Sequence, residues 1–122
     1  MSFMTNQELL DLAATLVNKR EVTEGVFVGS VATVLETTTG KIFKGVSIHA
    51  CCGVGFCAEH SAIAAMVTEG EFVIKRICAV SKDNTYYPPC GRCRELMFQM
   101  SAQNLKTEVI LSSETSTELE KL

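Results

Sequence analysis

Long apolar runs, stretches of positive charge and a secretory leader pattern are all missing from this 122-residue sequence. No apolar segment approaches the roughly 20 residues a membrane helix needs, so no membrane-spanning role is expected. No run of lysines and arginines would track a phosphate backbone, and the net charge is −3, which argues against a nucleic-acid partner. Met1 to Asp11 are polar and then acidic, without the charged-then-apolar order of a signal peptide, so the cytoplasm is the expected compartment. Thiols stay reduced there, and the six cysteines are not read as a disulfide framework. Internal repeats and linker-like stretches are also absent, so one domain over residues 1–122 is expected. With 47% hydrophobic and 20% charged residues, the chain has the balance to build a globular core.

Thr5-Asn6-Gln7-Glu8 reads as a capping box, and Leu9, Leu12, Ala13, Leu16 and Val17 recur at helical spacing, predicting a helix that ends near Arg20. Val26 to Leu35 is rich in β-branched residues and predicts a strand; after the turn Thr38-Thr39-Gly40, Lys41 to Ile48 predicts its hairpin partner. His49 to Phe56 reads as a loop. A helix is predicted over Cys57 to Glu69 with Gly70 as its C-terminal stop, a strand over Phe72 to Ser81, and a polar loop over Lys82 to Pro89. A third helix over Cys90 to Ala102 and a short strand over Glu108 to Leu111 follow, and Thr115 to Leu122 reads as a last helical turn or a frayed end. The strand–helix–strand unit implies a parallel pair and the hairpin an antiparallel one. The expected fold is therefore a three-layer α/β domain with a mixed sheet flanked by helices.

The chemistry gathers in two short segments, Cys57-Ala58-Glu59 and Pro89-Cys90-Gly91-Arg92-Cys93. Zinc prefers sulfur and nitrogen ligands, and catalytic sites use three protein ligands with one position left open. Cys90 and Cys93 lie three apart and share a face at a helix start, while Cys57 comes from the start of another helix. Helix N-termini favour thiolates. Three thiolates leave a zinc ion net negative, so Arg92 or Arg94 is a candidate to compensate; either could equally be a surface or interface charge. Glu59 is placed to move protons at the open position, although a carboxylate in a first helical turn is also favoured by the helix dipole alone. This pairing of motifs is the three-cysteine form of the zinc base-deaminase signature. Cys78 lies in an apolar run and reads as core. Cys51 and Cys52 read as small, partly buried loop side chains, though either could in principle close the metal site.

On these motifs, and on Gly40-Lys41-Ile42-Phe43-Lys44-Gly45-Val46 and Cys93-Arg94-Glu95, the sequence resembles the cytidine deaminase family in its small, homotetrameric three-cysteine branch. Within it the pattern is nearest to blasticidin S deaminases. The resemblance implies Zn2+ on Cys57, Cys90 and Cys93, Glu59 as proton shuttle, and backbone around Ala58 reading the pyrimidine edge. It implies a small-molecule cytosine nucleoside or analogue as substrate and a homotetramer as assembly. The family's sugar-holding Asn-x-Glu is replaced by Ser47-Ile48-His49, which makes Ser47 and His49 candidates for substrate binding. A backbone-satisfying role for His49 stays equally open. The family's Phe-Pro-Val-Gly, whose phenylalanine lines the base pocket, corresponds to Val26-Phe27-Val28-Gly29 and puts Val26 at that place. The family's usual arginine after Cys-Ala-Glu is His60, read as structural. Two other classes compete: a catalytically inactive, zinc-stabilised binding or scaffold protein, and a thiol redox protein using Cys90 and Cys93.

Overall fold

The computed structural model describes residues 4–122, so residues 1–3 of the expected domain lie outside the described residues. Helix α1 (Asn6–Leu16) starts at the capping box: the Thr5 hydroxyl accepts from the Glu8 N–H at 3.1 Å, and the Glu8 carboxylate accepts from the Thr5 N–H at 2.9 Å. Strands β1 (Arg20–Thr23), β2 (Val26–Thr37) and β3 (Ile42–His49) follow. Helix α2 (Ala58–Thr68), strands β4 (Ile74–Ser81) and β5 (Thr85–Tyr86), helix α3 (Gly91–Met100), and strands β6 (Glu108–Ile110) and β7 (Ser116–Glu118) complete the order.

The seven strands form one mixed sheet around β2, which runs antiparallel to β1, β3 and β4. β4 pairs in parallel with β6 through the α3 crossover, and β7 turns back along β6. Side-chain alternation on the strands makes two cores. Val34, Cys78, Val80 and Ile110 face α1 and bury Leu9, Leu10 and Ala13. Leu35, Ile77 and Val109 face the other way, against Ala62, Ile63 and Met66 of α2 and Met97 of α3. The architecture is the expected three-layer α/β arrangement. Contact between α2 and β3 is close enough to require Gly45, where a Cβ would collide with the Ala62 nitrogen and Ser61.

Four local expectations need correction. The first helix stops at Leu16, not near Arg20, because the Asn18 N–H leaves the helix to donate to Gly29 O (2.9 Å) and Arg20 opens β1. The polar loop after β4 contains β5, which folds straight back on β4. The C-terminal segment pairs with the free edge of β6 before its single 3-10 turn, Leu119–Lys121, and Leu119 plugs the core at 3% exposure. Cys51 and Cys52 are exposed rather than partly buried, in a tight turn where Cys52 takes φ +61°. Cys78 is buried, as its apolar run predicts, and burial pushes its thiol up to about 12.

Candidate metal centre and active-site cavity

Two return segments deliver the cysteines to the same end of the sheet. After β3, the chain loops through Cys51–Gly53 and Phe56 pairs back on Ile48, with N–H to O distances of 2.9 and 3.0 Å. That pairing leaves Cys57 beside the sheet as the N-cap of α2. After β4, the β5 hairpin and the Tyr87 N–H to Ala79 O bond (3.0 Å) bring Pro88 and Pro89 across, and Cys90 becomes the N-cap of α3. Neither sulfur caps its own helix, so both are left to face one another. Cys93 lies in the first turn of α3, fully buried.

The three sulfurs lie within 4.8 Å of one another, with Cys57 Sγ to Cys90 Sγ at 3.6 Å and Cys90 Sγ to Cys93 Sγ at 3.4 Å. Two sulfurs each about 2.3 Å from one tetrahedral zinc stand about 3.8 Å apart, so the triad fits zinc with small adjustment. Cys51 and Cys52 lie outside this group, which leaves a three-sulfur set rather than four. Electrostatics point the same way. Burial, followed by the Cys90 thiol, pushes the Cys57 thiol up; burial, followed by the Glu59 charge, pushes Cys93 up. Burial also opposes ionisation of Cys90, but the backbone amides of Cys93 and Arg92 and the neighbouring thiols bring it below its ordinary value. A cluster in which most groups resist ionisation is balanced by a cation that all three sulfurs share.

Glu59 is 5% exposed in the first turn of α2. Burial raises its carboxyl above the ordinary range, and its own backbone N–H opposes part of that rise. It lines a cavity of about 890 Å³ together with Cys57 and Cys90, and is the only carboxylate among the lining residues. Ser47, His49 and Ala58 line the same cavity. Val26 does not. Its neighbour Phe27 does, with Lys19 Nζ 5.4 Å from the ring centre, because successive strand side chains point to opposite faces. Of the two arginines, Arg92 lines the cavity, whereas Arg94 Nη2 donates to Leu122 O at 3.0 Å and is drawn away.

Some cavity residues were not legible. Ser30 and Val31 reach it through an irregular β2–β3 register between Val28 and Ala32, beginning at Gly29 with φ +80°. The Ser47 hydroxyl accepts from the Val31 N–H (3.0 Å) and pins this bulge. His49 makes no side-chain hydrogen bond among the described residues, which leaves its ring free at the mouth. Phe56 and Tyr87 enter with the two return segments, and only the Gly and Pro residues beside them hint at it.

Residues 4–109 match the family described as the cytidine and deoxycytidylate deaminase zinc-binding region. The chain belongs to this family. Among curated relatives, a cytidine deaminase of Halalkalibacterium halodurans is 31% identical over 68 residues, covering 55% of this chain and 52% of the relative. One of Mycoplasma genitalium is 39% identical over 71 residues, covering 54% and 52%. The matched part thus spans about half the length of these relatives. The fold of this family member is that of the cytidine deaminase from Mycobacterium leprae, with a TM-score of 0.76, 20% identity and coverage of 94% and 93%. The cytidine deaminase from Burkholderia pseudomallei gives 0.75, 24% identity and coverage of 97% and 95%. Among the described residues no helix is long and apolar enough to cross a membrane.

Proposed function

We propose that this protein is a zinc-dependent hydrolase that replaces the amino group of a cytosine nucleoside or analogue with a carbonyl oxygen and releases ammonia. The observation that supports it most is the convergence of three sulfurs at two helix N-termini, opening on a cavity whose single carboxylate is the buried Glu59. Zinc on Cys57, Cys90 and Cys93 supplies a Lewis acid that makes water nucleophilic at neutral pH.

Glu59 handles the protons. Its carboxylate takes one from the attacking water and gives it to N3 of the ring as the water oxygen bonds to C4. It then takes the second proton of that water and gives it to the amine as the C4–N bond breaks and ammonia leaves. Burial, which raises this carboxyl above its ordinary value, makes it a better proton acceptor than an exposed glutamate. In this reading backbone around Ala58 reads the pyrimidine edge, Phe27, which lines the cavity in place of Val26, packs against the base, and Ser47 and His49 hold the sugar-like part. Arg92 offsets the negative charge of the thiolates.

Cytidine, deoxycytidine and blasticidin S are the proposed substrate set. The chain is taken as one cytoplasmic domain over residues 1–122 that works as a homotetramer. The outward residues Ala64 and Val67 of α2, exposed in the single chain, support packing against other copies. Ammonia release from cytidine, deoxycytidine, blasticidin S and adenosine, with zinc content measured in parallel, tests the reading. Turnover of a cytosine substrate and about one zinc per chain are expected. Full zinc with no turnover of any of them supports the inactive binding protein instead, and full zinc in Cys90→Ala refutes the ligand set.

A further inference from the structure

Each of the three sulfurs has a different source of help for its negative charge. Cys90 has the backbone amides of Cys93 and Arg92. Cys57 is half-buried at the cavity wall, where water reaches it. Cys93 is 0% exposed, so water supplies nothing. What faces it is His60, whose Nδ1 lies 3.3 Å from Cys93 Sγ.

We propose that His60 is a positioning residue for the metal, donating its Nδ1–H to the Cys93 thiolate and thereby fixing both the sulfur and the ring's tautomer. The inference rests on the reading of Cys57, Cys90 and Cys93 as zinc ligands. A metal-bound thiolate carries lone pairs and no proton, so at this contact the imidazole has to be the donor, with its proton on Nδ1 and Nε2 left as the acceptor. The ring is held for this task from both sides. Its backbone N–H donates to Cys57 O at 3.1 Å in the first turn of α2, and its face stacks on Phe56 with centroids 6.3 Å apart and planes 28° apart. The contact thus ties α2, which starts at one ligand, to the buried ligand on α3. N–H donation to sulfur also stabilises the deprotonated form of a thiol that water does not reach, so protonation competes less with a cation for it.

Zinc affinity by competition with a chromogenic chelator is the main readout. His60→Phe keeps a ring for Phe56 to stack on and removes the donor; it should bind zinc about 10- to 100-fold more weakly. His60→Asn places an amide N–H near the position of Nδ1 and should restore most of that loss, which a purely steric role for His60 does not predict. Nitrogen-15 spectra of histidine-labelled, zinc-loaded wild type should show His60 protonated on Nδ1. Wild-type affinity in His60→Phe, or a ring protonated only on Nε2, overturns the inference and leaves the zinc site standing. If His60→Phe fails to fold, the wild-type tautomer decides. A wild-type protein that binds no zinc overturns the ligand set and this inference together.

Discussion

Two of the buried polar clusters among the described residues are built on opposite principles. One joins Glu36 of β2 to Arg76 of β4: Arg76 Nη2 is 2.6 Å from Glu36 Oε1, and Nε donates to the same oxygen at 2.8 Å. Two further guanidinium N–H groups go to Asn6 Oδ1 and Met4 O, each at 2.8 Å, and Asn6 passes a hydrogen bond to Glu108 at 2.9 Å. Charge and hydrogen bonds balance within the protein. The other cluster, at Cys57, Glu59, Cys90 and Cys93, collects acidic groups and leaves them without an ion pair among the described residues. A balanced cluster needs nothing from outside and serves to pin α1 to the sheet. An unbalanced one is stable only with a partner, and that need is what a cofactor and a substrate can use.

The sharpest way to test that contrast is Glu59→Gln. It preserves shape while removing the proton shuttle, so turnover of the best substrate should fall by about 10²- to 10⁴-fold. Zinc content and melting temperature should hardly change. Near-normal turnover in this variant would end the proposed mechanism.

Arg76→Met should do the reverse. It strands the carboxylate of Glu36, which is 1% exposed, and should cost about 3–5 kcal/mol in denaturant unfolding. The folded fraction should keep its zinc. Replacing Glu36 and Arg76 together by methionine should recover much of the loss, since an apolar pair of similar size leaves no buried charge alone. If the single and double variants unfold alike, the pair is not the balanced unit described here.

A smaller effect is expected where the second cluster meets its ligand. His49→Ala should weaken substrate binding by about 1–3 kcal/mol, seen as a raised KM with kcat little changed. An unchanged KM would remove His49 from the sugar site.

The smallest effect is at the surface. The Glu71 carboxyl is held below its ordinary value first by the Thr39 hydroxyl at 2.6 Å, with Thr37 and Lys41 adding to it. A depressed acid contributes stability above its unfolded pKa and loses it as pH falls through the folded value. Glu71→Gln should therefore lower stability slightly at neutral pH, leave it unchanged at pH below the folded value, and so flatten the acid limb of the stability profile. An acid limb identical to wild type would show that Thr39 does not bias this carboxyl.

The candidate site was largely legible in the sequence because its parts are local. Cys57 to Glu59 and Cys90 to Cys93 each fit within one helical turn, and a capping geometry needs only neighbouring residues. What was not legible depends on distant partners. Arg92 and Arg94 look equivalent until Leu122, 28 residues beyond Arg94, claims one of them. Val26 and Phe27 compete for one wall, and the strand's phase decides, which a register irregularity three residues later makes hard to count. The short strands β1, β5 and β7 are held by the edges they pair with, not by their own composition. The layers and the mixed sheet were legible for the opposite reason, since alternation along β2 and β4 runs over many residues.

The tether between Ser47 and Val31 bears on how this protein could change over time. Ser47 does two jobs: it faces the cavity and fastens the wall opposite, so replacing it alters contact and shape at once. The side chain of His49, two positions along the same strand, makes no hydrogen bond among the described residues. A lineage exploring new substrates can vary His49 one step at a time without disturbing its neighbours, whereas a change at Ser47 has to wait for a compensating one in the bulge. Diversification of this pocket should therefore begin at His49 and reach Ser47 late.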